Sequence, residues 1–174
     1  MKKASDWTPD RIADRMAIED VLAQYCRAVD RIDIDLLRDV FHPDATIENG
    51  PNTGGVDGFL AAVAQRHPTV PFAMHMVMNK LIDFLSPDRA FVETWCLAME
   101  RQTPEADLIV RVRYGDIFEK RDGAWAISHR ATVLDHVMSV PVAEGPMPLM
   151  QGRLVGKRGP DDPLALMRAK YVTS

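Results

Sequence analysis

The spacing of apolar residues changes once along this chain, after Pro71, and that change narrows the available folds more than any other feature. Before it, apolar residues recur every three or four positions; after it they alternate, as one face of a strand requires. From 8 to 31 the chain reads as a single amphipathic helix. Ile18, Val21, Leu22, Tyr25, Cys26 and Val29 share one side, with Asp20, Arg27 and Arg31 away from them. Thr8 supplies a cap and Pro9 a first helical position. A short second helix, LLRDVF, starts from Asp33 or Asp35 and ends at HPDA, and ATIE reads as a strand. After the turn-rich NGPNTGG, Asp57 caps a third helix, GFLAAVAQR, which Pro68 stops.

The alternating half contains four long strands. FAMHMVMNKLIDFL and AFVETWCLAMER are joined by the turn SPDR, and LIVRVRYGDIFEK and AWAISHRATVLDHV by RDG. Three helices followed by a meander predict an α+β domain, with the helices packed on a curved, mostly antiparallel sheet. The 174 residues suit one domain with its own core, which we place at 1–140. Residues 141–174 read as a tail. They are rich in proline and glycine and have too little pattern to fold alone, so they pack on the domain or on a neighbouring subunit.

Charge argues against several partner classes. Lys and Arg number 21 against 25 Asp and Glu, which leaves no basic footprint for a nucleic acid. No run of about 18 apolar residues offers a membrane span, and the N-terminus lacks an apolar leader, so a soluble cytoplasmic protein is expected. Cys26 and Cys96 stand far apart without a C-x-x-C, and the histidines His42, His67 and His136 lack metal-ligand spacing. We therefore expect no metal, and with no glycine-rich phosphate loop, no nucleotide cofactor.

The chemistry centres on AMHMVMNK at 73–80, where alternation puts His75, Val77 and Asn79 on one face and three methionines on the other. Asp30 ends the first helix, where the macrodipole disfavours a carboxylate by about 0.3–1 kcal/mol and a cationic or donor partner is welcome. If the two meet, the carboxylate fixes the imidazole tautomer and makes the other ring nitrogen a general base. Tyr25, five residues before Asp30, can offer its hydroxyl to a ligand, and Arg130, read as facing opposite to Trp125, Ile127 and His129, can anchor negative charge. Each also has an ordinary structural use: a core histidine, a solvated turn aspartate, a core tyrosine, a salt-bridged arginine. Asn79, Cys26 and Trp95 are the candidate substrate-binding residues, and the ten methionines suit an adaptable pocket for a hydrophobic small molecule.

Three segments, MAIEDVLAQYCRAVDRIDIDLLRDVFHPDATI, HMVMN and RDGAWAISHR, resemble the SnoaL-like branch of the nuclear transport factor 2 superfamily, a cone-shaped α+β barrel. Within it the resemblance is to cofactor-free lyases: lindane dehydrochlorinase, bile acid 7α-dehydratase and scytalone dehydratase. It implies a site of Asp30, His75 and Arg130 with Tyr25 beside it, and a homo-oligomer, with a trimer favoured over a dimer. The methionine-rich strand and Tyr25 depart from the dehydrochlorinase pattern and point away from a halogenated substrate. The expectation is thus a cofactor-independent lyase or isomerase of a hydrophobic small molecule. Its rivals are a non-catalytic binding module and an accessory subunit of an oxygenase-type complex, because a fold does not fix a function.

Overall fold

A computed structural model of the chain describes residues 7–142 and 152–172. Helix α1 spans Pro9–Arg31, with the Thr8 side chain accepting from the Arg11 amide and Pro9 in its first turn. Its buried stripe is Ile18, Leu22, Tyr25, Cys26 and Val29. The helix ends at Ile32, whose φ of 57° is left-handed. A β-branched side chain there costs about 1–2 kcal/mol. Helix α2, Ile34–Asp39, is capped by Asp33, which accepts from the Leu36 amide at 3.1 Å. Strand β1 covers Phe41–Glu48, starting earlier than ATIE because Phe41 already pairs with Ile127. After a short β2, Gly54–Gly55, comes helix α3, Val56–Arg66. Its N-cap is Gly55 and not Asp57, whose carboxylate instead meets Arg38 at 2.7 Å.

The long strands are β3 (Ala73–Ser86), β4 (Arg89–Thr103), β5 (Ala106–Arg121) and β6 (Ala124–Pro141). With β1 and β2 they form one curved, unclosed sheet in the order β2-β1-β6-β5-β4-β3. Only β1 and β6 run parallel; every other neighbouring pair is antiparallel. The core lies between the helices and the inner face of this sheet, to which Val92, Thr94, Cys96 and Ala98 contribute alternately from β4.

Several β-bulges interrupt simple alternation, and two of them redirect residues singled out from the sequence. In β3, Val77 pairs with Cys96 but Lys80 with Thr94, so Met78 and Asn79 take up one extra residue. The strand changes phase there, and Asn79 is exposed instead of sharing the face of His75. In β6, Ile127 pairs with Phe118 but His129 with Ile117, leaving Ser128 as the extra residue. Arg130 is thereby turned inward, onto the buried side that holds Trp125 and Ile127, and not opposite to them.

The C-terminal segment folds back on its own domain. Gly159 donates from its amide to the Arg31 carbonyl, and Arg158 reaches the carbonyls of Val29 and Asp30 at the end of α1. Helix α4, Pro163–Tyr171, follows, capped by Asp162. Residues 143–151, the first part of the expected tail, lie outside the described residues. Among the described residues no helix is long and apolar enough to cross a membrane.

Candidate active site

A cavity of about 330 Å³ opens between α1, α3 and the inner face of the sheet. Its size is within the usual range for small-molecule sites. Val29, Phe59, Val63, Leu108, Val110 and Val112 make the walls apolar. Its polar groups come from separate elements and include Tyr25 of α1, Arg66 and His67 at the end of α3, His75 of β3 and Glu100 of β4, with Asn49, Asn52 and Thr132 also on the lining.

His75 and Asp30 do meet. Both carboxylate oxygens of Asp30 are engaged by the same residue: Oδ2 accepts from the His75 amide at 2.9 Å and Oδ1 faces Nδ1 at 2.7 Å. Asp30 is only 6 % exposed, so this two-point contact fixes the ring against the strand that carries it. A carboxylate accepts, so Nδ1 carries a proton, and in the neutral ring Nε2 keeps its lone pair. The C-terminal position of Asp30 on α1, unfavourable by itself, is compensated by the guanidinium of Arg158 on the last carbonyls of the helix.

Tyr25 lines the cavity wall, and burial raises the pKa of its phenol, so it stays a hydrogen-bond donor. Behind it lies Arg130, fully buried and held by Asp116 through two bonds of 2.7 Å. The guanidinium lies over the rings of Tyr25 and Tyr114, 4.0 and 4.2 Å from their centroids, the two rings standing at 76° to each other. Its Nη1 has no partner among the described residues. Arg130 is thus a buried support beneath the tyrosines and not part of the cavity lining.

The three residues read from sequence as substrate-binding are not on the cavity. Asn79 is exposed at the bulge, and Trp95 points to the outer face of β4 between the inward Thr94 and Cys96. Cys26 is buried in the core, its thiol pushed up to about 12 mainly by desolvation. Three charged or titratable cavity residues were not placed in the site by sequence reading. Arg66 and Glu100 form a two-point ion pair, and although burial raises the Glu100 carboxyl, Arg66 brings it below the usual value. His67 is buried, with Nδ1 facing Arg158 Nη2 at 2.8 Å. The sequence gives no local signal for that contact, because its partner lies 91 residues away.

Solved structures share this architecture at low identity. A type 2 hexachlorocyclohexane dehydrochlorinase (LinA) superimposes with a TM-score of 0.71 at 20 % identity, covering 80 % of this chain and 97 % of that one. A LinA-type3 enzyme from Novosphingobium barchaimii LL02 gives 0.71 at 22 % identity, covering 80 % and 98 %. A candidate scytalone dehydratase from Novosphingobium aromaticivorans DSM 12444 gives 0.69 at 24 % identity, covering 83 % and 98 %. No curated protein matches the chain. The SnoaL-like domain matches residues 10–131, which takes in nearly all of α1 through the inward turn of β6 and every cavity-lining residue but Thr132; the chain belongs to the SnoaL-like family.

Proposed function

We propose that this protein is a cofactor-independent lyase or isomerase of a hydrophobic small molecule bearing a carbonyl and a leaving group at the next carbon but one. The observation that carries the reading is the His75–Asp30 contact, which presents the Nε2 of a ring lining a cavity with both apolar walls and polar groups. His75 removes a proton from the carbon beside the carbonyl, and the C–H electron pair moves onto the carbonyl oxygen as an enolate. The enolate collapses to a carbon–carbon double bond, and the leaving group departs with its electron pair. Hydroxide leaves as water by taking the proton that His75 now carries. Tyr25 donates to the developing charge, and Arg130, stacked beneath its ring, is the fixed positive charge nearest that phenol. Asp30 holds the imidazolium while it exists.

The same reading takes residues 1–140 as the catalytic domain with 141–174 as its tail, in a homo-oligomer. The exposed apolar side chains Leu81, Leu134 and Val137 support an association through the sheet. Elimination of water from cyclic 3-hydroxyketones, followed by the ultraviolet band of the enone, tests the chemistry. His75→Gln abolishing turnover, with Asp30→Asn strongly reducing it, is the expected result. Undiminished turnover by His75→Gln would remove the proposed base.

A further inference from the structure

Among the polar side chains of the cavity that take no part in the step above, one is an imidazole. His67 begins the 3-10 turn His67–Thr69 that ends α3, is 7 % exposed, and lines the same cavity as His75. Its Nδ1 lies 2.8 Å from Nη2 of Arg158. A guanidinium only donates, so Nδ1 is the accepting nitrogen and the proton of the neutral ring sits on Nε2.

Arg158 cannot readily turn away. It also donates to the carbonyls of Val29 at 2.9 Å, Asp30 at 3.2 Å, His67 at 3.1 Å and Val70 at 3.0 Å. A proton added to His67 would enter a buried site facing Arg158 and Arg66, and near His75 of β3; the carboxylate that favours it is Glu100, which Arg66 already engages. Burial and those charges push the ring's pKa down to about 4.

The cavity therefore holds two imidazoles in opposite tautomers. His75 has its proton on Nδ1 against Asp30 and a bare Nε2; His67 has a bare Nδ1 against Arg158 and its proton on Nε2. Neither Nε2 bonds to any described residue. Environments that divide two like groups in this way assign an acceptor and a donor.

We propose that His67 is a second catalytic residue of this site: its Nε2–H, fixed by Arg158, hydrogen-bonds the carbonyl oxygen of the ligand as negative charge develops there. The assignment rests on the elimination reading, with His75 taking the proton from the neighbouring carbon. A neutral donor held in advance needs no reorganisation as the oxygen becomes anionic. It also makes the C-terminal segment part of the site, since Arg158 sets the tautomer from outside the cavity.

Nitrogen-15 correlation spectra of the full chain, recorded with and without 4-nitrophenol as an oxyanion probe, test this without any turnover. In the expected result His67 is the Nε2–H tautomer at pH 7 and stays neutral to about pH 5. The probe moves its Nε2–H signal downfield in both the wild type and His75→Gln. Arg158→Gln lets the ring titrate closer to its ordinary range, and His67→Phe weakens probe binding about tenfold. A charged ring or an Nδ1–H tautomer at pH 7 overturns the assignment. So do His67 nitrogens that the probe leaves unmoved, whether it binds elsewhere or nowhere. Should His67→Phe not fold, the wild-type spectra decide alone. Inactivity of His75 as a base would leave these spectra unchanged, so the two readings fail separately.

Discussion

Replacing Asp116 by alanine is expected to be among the most destabilising single changes in this chain. Asp116 and Arg130 are both fully buried and are joined by two bonds of 2.7 Å. Without the carboxylate the guanidinium keeps the rings of Tyr25, Tyr114 and, farther off, Phe41, none of which carries a countercharge, and its Nη1 is already without a partner among the described residues. Stacking on those rings is present before and after the change and does not replace the lost countercharge. Leaving one member of a buried pair uncompensated costs about 3–5 kcal/mol. With a urea dependence of about 2 kcal/mol per molar, a loss of about 4 kcal/mol lowers the unfolding midpoint by about 2 M. Urea titrations followed by tryptophan fluorescence and by circular dichroism measure it. The double change Asp116→Leu with Arg130→Met removes both charges and should recover most of the loss. A single-variant cost below about 1 kcal/mol, or a double variant worse than the single one, would refute a desolvated pair and return Arg130 to the set of groups free to reach a ligand.

Acid should weaken the fold through His67. Its folded pKa, about 4, lies below the unfolded value of 6.5, so the unfolded chain binds the proton first. The stability this provides is complete above pH 6.5 and is lost as pH falls toward 4, on the order of 2 kcal/mol once screening by cavity water is allowed for. His67→Gln should flatten that part of a stability-against-pH curve, and an unchanged slope would contradict the burial of this ring. Leu22→Ala, at a side chain with no exposed surface, should cost about 2–5 kcal/mol in the same urea assay. Ile32→Asn, which relieves the left-handed φ of 57°, should raise the melting temperature by an amount equivalent to about 0.5–1 kcal/mol. A net loss there would mean that the packing of Ile32 outweighs its strain.

Local spacing alone determined a good deal. Thr8 and Pro9 announced the start of α1, and the turns SPDR and RDG placed the two hairpins, because caps and tight turns are set by neighbours a few residues apart. The change of period at Pro71 separated helices from strands for the same reason. The partnership of Asp30 with His75 was half legible: a carboxylate at a helix C-terminus needs a partner, and an imidazole in an oily strand suggests one. What alternation could not reveal was where a strand changes phase. The bulges at Asn79 and Ser128 exist only in relation to the strand alongside, and they put Asn79 outside and Arg130 inside, the reverse of the reading from either strand alone. His67 shows the limit most plainly. Beside Pro68 it is an unremarkable helix-end residue, and its tautomer is set by Arg158, brought to it from 91 residues away by the return of the C-terminal segment onto α1. Sequence determines the elements because their energies are local; only the tertiary structure decides which charges face one another in a cavity, because that depends on chain return and register, to which no single segment has access.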